Sequence, residues 1–316
     1  MDRSQKAGSD VDEILKNSYI LLRQGNFSEA RELLGKALPL DFDKEEVINA
    51  LKSIGYWEER EKKIETIQED REKGEYLFTQ WENYLTFLQR CGTICDEIHY
   101  PVKQWVFSKA LTFFQSAVVK KGKHDPELLC NVGRAYKGIG DYEHAVEYFE
   151  AANHQKLDDP ELLAELADAY AFMNETKASK AFFREAFYID PQQVHLDYLE
   201  SMLISRLIEE VRKKCSSEEE IKEWIPVFGN IYNVFNVKRE LKPLEFGKLK
   251  QAIFQYENSL EKEEADGNFR IVPRLINKYL WLIDHLLYTK SERKKIDEVL
   301  AKIKKIDTDI YEKLIQ

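Results

Sequence analysis

The segment Asp125-Pro126-Glu127-Leu128-Leu129 recurs as Asp159-Pro160-Glu161-Leu162-Leu163, 34 residues further along the chain. In each copy the aspartate is a good helix N-cap, because its carboxylate accepts the free amide hydrogens of the first turn. The proline that follows lacks only a donor that would be unpaired at this position anyway. Each copy therefore predicts the start of a helix, and the fixed offset predicts a structural repeat.

The similarity continues through the rest of both copies. Apolar residues recur at helical spacing until Gly140 and Asn174, which both tolerate the left-handed backbone that ends a helix. Small and aromatic residues then recur at the spacing of a second helix, so each copy predicts a helix pair. The aligned positions are Val132-Gly133 with Leu166-Ala167, Tyr136 with Tyr170, Ala145 with Ser179, Phe149 with Phe183 and Ala152 with Ala186. We expect Tyr136, Phe149, Tyr170 and Phe183 to be buried between helices.

This pattern resembles the tetratricopeptide repeat, whose signature is a bulky residue, Leu-Gly, Tyr, a turn Gly, then Ala, Phe, Ala and a closing Pro. The matching copies are Asp125–Leu157 and Asp159–Pro191; Leu157 stands where the closing proline is usual. The resemblance implies an all-α fold, a right-handed α-solenoid of antiparallel helix pairs with atypical N- and C-terminal helices. It also implies a concave groove, lined by the first helix of each pair, that receives a peptide or a partner helix.

The family pattern assigns particular side chains to that groove. We expect Phe172 to be an apolar anchor, and we expect nearby acids to steer a basic partner, because residues 125–200 contain 16 acidic and 6 basic side chains. The alternative is that these acids only hydrate the surface and complement helix N-termini. The candidate groove residues are Glu127, Arg134 and Lys137 in the first copy and Glu161, Asp168 and Phe172 in the second.

Weaker helical patterns flank the two copies. Asp12–Leu40 resembles a degenerate copy, Lys44–Lys73 predicts a charged helix, and a stretched copy carries a long turn at Cys91–Pro101. After Pro191, periodicity predicts helices over Val194–Cys215, from Ser217, over Ile271–Tyr288 and over Ser291–Gln316, with a break at Gly267-Asn268. The predicted division is a flexible tail at 1–10, a degenerate repeat region at 11–122, two clear repeats at 123–191 and a helical region at 192–316 that continues or caps the solenoid.

Composition limits the partners. The net charge of −10, from 47 basic and 57 acidic side chains, argues against unselective binding to nucleic acid or anionic membranes. The apolar stretch Tyr279–Tyr288 is too short to span a bilayer and carries Asp284, and the N-terminal sequence lacks the apolar run of a signal peptide. The four cysteines are sparse for a disulfide scaffold. We therefore expect a cytoplasmic protein with reduced thiols and no membrane insertion.

Catalytic and metal-binding patterns are weak. Cys91-x3-Cys95-x3-His99 lacks the second pair of ligands that a structural zinc site needs, so we expect no metal. Gly138-Ile139-Gly140 follows a helix rather than a strand and predicts a packed turn instead of a phosphate loop. The sequence contains neither His-Glu-x-x-His nor Gly-x-Ser-x-Gly. We expect no cofactor and no enzymatic activity.

Three functions remain open at this point. The first is an interaction scaffold or adaptor that docks one protein partner on the clear repeats. The second is a structural subunit that forms a homo-oligomer through its atypical ends. The third is an accessory domain with an unrecognised ligand or catalytic site, which would retain a small molecule through purification.

Overall fold

The computed structural model describes residues 3–91, 96–122, 124–261 and 269–315. Within these ranges the chain forms fifteen α-helices and no strand, and most helices that are adjacent in sequence pack together within two compact units, which confirms the predicted all-α, solenoid-type fold class. The helices are α1 (Arg3–Gln24), α2 (Phe27–Ala37), α3 (Glu45–Thr66), α4 (Asp70–Arg90), α5 (Asp96–Lys121), α6 (Pro126–Ile139), α7 (Tyr142–Gln155), α8 (Pro160–Phe172), α9 (Thr176–Ile189), α10 (Met202–Arg212), α11 (Glu218–Ile231), α12 (Pro243–Glu261), α13 (Ile271–Tyr288), α14 (Arg293–Ile306) and α15 (Thr308–Ile315).

The chain divides into two compact units, Met1–Gln155 and Lys156–Gln316. We call them unit 1, which contains α1 to α7, and unit 2, which contains α8 to α15. The four-part division that the sequence suggests stays a prediction.

Aromatic rings fill the core of unit 1. The indole of Trp105 on α5 packs edge-on against Phe27 and Trp57, with ring centroids 4.7 and 5.5 Å apart. Tyr84 is fully buried and donates a hydrogen bond of 2.7 Å to the Ser53 hydroxyl, so its polar end is satisfied inside the core. These contacts join α2, α3, α4 and α5 around one apolar interior.

Unit 2 has its own core. Phe187 on α9 stacks on Phe235, which lies in the non-helical segment after α11, with ring centroids 5.8 Å apart. Tyr188 packs on Trp281 of α13 with centroids 4.2 Å apart. The core therefore holds an irregular segment, Tyr232–Lys242, against α9 and its neighbours.

Several predicted helix boundaries are wrong. The expected helix Lys44–Lys73 is interrupted at residues 67–69, and the long turn expected at Cys91–Pro101 is shorter because α5 begins at Asp96. Pro101 lies early in α5, where it removes a single hydrogen bond near the helix start. Helix α1 begins at Arg3, and the flexible tail expected over residues 1–10 stays a prediction.

Two later helices are also shorter than predicted. The helix expected over Val194–Cys215 begins only at Met202, after two short 3-10 turns. The last helix is divided at Asp307, whose carboxylate accepts the Ile310 amide at 2.9 Å and caps α15. In contrast, α13 has the predicted bounds, and Ser217 caps α11 by accepting the Glu220 amide at 3.2 Å. The predicted break at Gly267-Asn268 lies outside the described residues.

Candidate functional site

Helices α6 and α7 form the first repeat hairpin, in unit 1. Asp125 caps α6 by accepting the Glu127 and Leu128 amides at 3.1 Å each, and Gly140 ends the helix with φ of 85°. Phe149 on α7 is fully buried, and a Cβ placed on Gly133 would lie 2.8 Å from its ring. The glycine therefore allows the close approach of the two helices that the pattern predicts.

Helices α8 and α9 repeat this arrangement in unit 2. Asp159 accepts the Leu162 amide at 3.2 Å, and Asn174 takes the left-handed conformation with φ of 62° after α8. Ala167 stands where the first copy has Gly133, and Phe183 is fully buried. Both predicted helix pairs are therefore present.

Two of the four aromatic residues expected in the core are only half-buried. Phe149 and Phe183 are 0% exposed, as predicted, whereas Tyr136 and Tyr170 are partly accessible. Tyr136 stacks on Tyr148 with centroids 5.5 Å apart, and its hydroxyl accepts a hydrogen bond from Gln115. A tyrosine keeps its polar end near solvent or a partner, which explains the difference.

The three candidate residues of the first copy lie on α6 with different exposure. Glu127 is exposed, and its carboxylate accepts a hydrogen bond of 3.0 Å from the Arg71 guanidinium on α4. Arg134 and Lys137 are 8% and 6% exposed. The Arg134 guanidinium lies 5.9 Å from the Phe78 ring centroid, so much of this side chain contributes to packing.

The three candidates of the second copy lie on α8, in the other unit. Glu161 and Phe172 are half-buried, but Asp168 is 0% exposed. The Asp168 carboxylate accepts the backbone amides of Glu200 and Ser201 at 3.1 and 2.9 Å, immediately before α10. A negative charge at this place stabilises α10, because the N-terminal end of a helix carries a partial positive charge from the helix dipole. Asp168 therefore stabilises the fold, a role different from the exposed steering role expected from the sequence.

A charged network that the sequence analysis missed lies in unit 2. Arg184 of α9, 3% exposed, donates to Asp284 of α13, and the Lys238 ammonium lies 2.6 Å from the same carboxylate. Arg184 also donates to the Val237 carbonyl at 2.9 Å, and its guanidinium lies 4.1 Å from the Trp281 ring centroid. Burial lowers the pKa of Arg184, and the Asp284 carboxylate offsets part of that effect. We call Arg184, Asp284 and Lys238 the ion triad.

A second arginine, Arg239, holds the irregular segment Tyr232–Lys242 in place. Arg239 forms paired hydrogen bonds with Glu185 at 2.5 and 3.1 Å, and it contacts Glu245 at 3.0 Å. Its hydrogen bonds hold the pKa of Glu245 below its ordinary value. Such two-pronged pairing fixes geometry as well as charge, so Tyr232–Lys242 is attached to α9 and α12 by side chains.

A third cluster joins α9, α11 and α13. Arg274 donates to Glu223, which is 0% exposed, at 2.7 and 2.8 Å, and to Asp190 at 2.9 Å. Lys278 donates to the Tyr188 carbonyl at 2.9 Å, and its ammonium lies 3.6 Å from the Tyr188 ring centroid. Burial and the charge of Arg274 lower the pKa of Lys278 to about 8.

These clusters are suited to holding elements together. The cavity beside Lys278 measures about 20 Å³, which is room for one water molecule and far too small for a substrate. One clue to the network was present in the sequence: Asp284 interrupts an apolar helix, and a buried charge requires a partner. That partner, Arg184, is 100 positions away, which local patterns do not reveal.

The described residues contain no group of three His, Cys, Asp or Glu side chains that could hold a metal ion. Cys95, a member of the predicted Cys-Cys-His arrangement, lies outside the described residues. His99 packs against the Trp81 ring, with centroids 4.9 Å apart. None of the helices in the described ranges has both the length and the apolar character needed to cross a membrane.

Comparison with known families identifies the repeats. The family model of the tetratricopeptide repeat matches residues 126–153 and 160–193, which contain α6 and most of α7, then α8 and α9. This chain therefore carries two tetratricopeptide repeats, as the sequence pattern predicts. Repeats of this family generally mediate protein–protein interactions, and their all-helical fold is typically non-catalytic. A comparison with curated proteins found no match.

Proposed function

We propose that this protein is a non-catalytic scaffold or adaptor that binds a partner protein or peptide through its tetratricopeptide repeats. The observation that carries this proposal is the pair of matched repeats at 126–153 and 160–193, each folded as a capped helix pair. Since repeats of this kind generally mediate protein–protein interactions, partner binding is the function that the fold supports best.

The candidate residues divide into two groups. Glu127, Glu161 and Phe172 are at least partly exposed and would contact the partner directly. The other three, Arg134, Lys137 and Asp168, are less than 9% exposed and would hold the contacting helices in place. Aromatic side chains, phenylalanine included, are enriched at the core of protein interfaces, so Phe172 is our proposed anchor.

The partner that we propose is basic. Helix α7 exposes three acids, Glu143, Glu147 and Glu150, on its outer face. Acidic surfaces attract basic partners over a distance and raise their association rate without requiring direct contact.

The test begins with affinity capture on the full-length chain, followed by mass spectrometry. Binding of the captured protein is then measured as on- and off-rates. We expect Phe172→Ala to raise the off-rate, whereas Phe254→Ala, which removes an exposed phenylalanine of α12, should not. Equal off-rates for Phe172→Ala and the unmodified chain would place the docking surface elsewhere.

Light scattering of the purified chain tests the alternative of self-assembly. A single defined homo-oligomer, together with failure to capture any partner, would favour a structural subunit over an adaptor. A small molecule retained through purification would favour a ligand-binding accessory domain.

A further inference from the structure

A trough in unit 2 lies outside the two repeats and has no part in the proposed function. Helix α13 forms its floor with Val272, Leu275 and Tyr279, which recur at helical spacing. Its walls are α12, through Leu260, and α14, through Ile306. The cavity measures about 440 Å³, within the range of sites that bind a small molecule or the side chains of a partner.

The two walls of the trough carry opposite charges. Glu257 and Glu261 lie on the α12 wall, and Lys302 and Lys305 lie on the α14 wall. Glu257 is already engaged, because it accepts hydrogen bonds from Tyr279 at 2.5 Å and from Lys302 at 2.7 Å. Glu261 and Lys305 are exposed, and neither forms an ion pair or hydrogen bond with any described residue. Within the part of the chain that the structure describes, the apolar floor is therefore bordered by one carboxylate and one ammonium group that have no partner.

The walls of the trough also determine which backbone conformation a bound peptide can adopt. The described walls belong to the helices α12, α13 and α14, so they offer no strand edge on which an extended peptide could form a ladder of backbone hydrogen bonds. A helix satisfies its own backbone internally and presents an apolar stripe with polar edges. A single-charge amphiphile, such as a fatty acid, would leave one of the two free rim charges without a partner.

We propose that the trough binds an amphipathic α-helix of a partner protein. The apolar stripe of that helix lies on Leu260, Val272 and Ile306. A basic residue on one edge pairs with Glu261, and an acidic residue on the other edge pairs with Lys305. A helix carrying both signs of charge is favoured over one with like-charged edges.

The probes are three stapled synthetic peptides of about 18 residues, or five helical turns, with the same leucine stripe. One carries lysine on one edge and glutamate on the other; the second carries lysine on both edges, and the third carries glutamate on both. A mixed peptide can bind in either direction along the trough, and turning it end to end exchanges the walls that its two edges face. A peptide with exchanged edges would therefore bind equally well, so the mixed peptide is compared with the two like-charged peptides. Binding to the full-length chain is measured by fluorescence anisotropy. We expect the mixed peptide to bind about threefold more tightly than either other peptide, the size of one exposed ion pair.

Charge reversal in the protein should reverse this preference. Lys305→Glu leaves a carboxylate at both rim positions, 261 and 305, and should favour the lysine-edged peptide, whereas Glu261→Lys leaves an ammonium group at both and should favour the glutamate-edged peptide. The matched controls Lys294→Glu and Glu298→Lys make the same changes at exposed positions of α14 that do not line the trough, and they should leave the order of affinities unchanged. Val272→Asp should weaken the binding of all three peptides, and circular dichroism checks that this variant retains its fold.

Three results would overturn the proposal. One is equal affinity for all three peptides, and another is an order of affinities that Lys305→Glu and Lys294→Glu change alike. The third is binding of laurate, but of no peptide, with loss of laurate binding in Val272→Asp. Phe172→Ala should leave peptide binding intact, so failure of the trough and failure of the repeat site are distinguishable.

Discussion

Two helical glycines, Gly138 and Gly35, show how the neighbouring atoms determine whether an added Cβ methyl group stabilises or destabilises the fold. A Cβ on Gly138 of α6 would lie 2.1 Å from a ring carbon of Phe107 on α5, whereas a Cβ on Gly35 of α2 would meet nothing within 4 Å. The sequence predicts correctly that Gly138 serves packing, because Gly138-Ile139-Gly140 follows a helix rather than a strand. It does not reveal that the neighbour is Phe107.

We expect Gly138→Ala to lower the free energy of unfolding by about 1–3 kcal/mol, because overpacking forces the Phe107 ring or the helix to move. Gly35→Ala is the matched control in unit 1 and should raise the free energy of unfolding by about 0.5–1 kcal/mol, since alanine favours helix. Urea denaturation followed by circular dichroism measures both. If both variants are stabilised, α5 and α6 do not approach as closely as described.

Asp168 gives a second prediction at this scale. Asp168→Ala leaves the Glu200 and Ser201 amides without their acceptor, so we expect a loss of about 2–3 kcal/mol in the free energy of unfolding. Asp197→Ala removes an exposed acid from the nearby 3-10 turn and should change stability by less than about 0.5 kcal/mol. Equal thermal melts for the two variants would mean that Asp168 is free to serve another role.

Lys278 makes stability depend on pH in a defined direction. Its pKa is about 8 in the folded protein and 10.5 ordinarily, so between these values the unfolded chain binds more protons than the folded chain. The free energy of unfolding therefore gains a contribution that rises with pH across this window. Relative to Lys278→Met, the unmodified protein should gain about 1–3 kcal/mol between pH 8 and 10.5. Parallel pH profiles for the two proteins would show that the pKa of Lys278 is not lowered.

At the scale of helices, element type was predictable and several boundaries were not. Periodicity and caps identify α6, α8, α11 and α13, because the start signals of those helices lie next to the helices themselves. The start of α10 depends on Asp168, which is more than 30 positions away. The irregular segment Tyr232–Lys242 likewise depends on Arg184 and Asp284. Such boundaries follow from tertiary contacts, and a single sequence does not display them.

The ion triad gives the prediction for that segment. Asp284→Leu leaves Arg184 buried without its carboxylate, and breaking a buried pair in this way costs about 3–5 kcal/mol. The double variant Arg184→Met, Asp284→Leu should lose less stability than Asp284→Leu alone, because the buried guanidinium is removed and the remaining member of the triad, Lys238, is exposed. Asp297→Leu breaks an exposed pair with Arg293 and should cost less than about 1 kcal/mol.

Hydrogen exchange provides the local measurement for the same variants. We expect the amides of residues 232–242 to exchange faster in Asp284→Leu and to be unaffected in Asp297→Leu. Unchanged exchange in the first variant would mean that Arg239 alone holds the segment.

At the scale of the whole molecule, the repeat region was the most predictable part. Its signature positions are local, and they place both helix pairs and both N-caps correctly. The separation into two compact units between Gln155 and Lys156 was not predicted. The boundary falls between the two repeats, at a point that the sequence pattern crosses without a linker.

The distribution of charge along the chain predicts how fast a basic partner associates. The excess of acids within 125–200 equals the net charge of −10, so the remaining residues are neutral in sum. If a basic partner is steered to the repeats, acids near the repeats matter more than acids elsewhere. The double variant Glu143→Lys, Glu147→Lys should therefore slow association, most clearly at low salt, where screening is weakest.

The control Asp10→Lys, Glu13→Lys changes the net charge equally on exposed positions of α1. Stopped-flow association rates at several salt concentrations separate the two effects: equal slowing by both variants would attribute steering to net charge alone, and no slowing by either would contradict electrostatic steering.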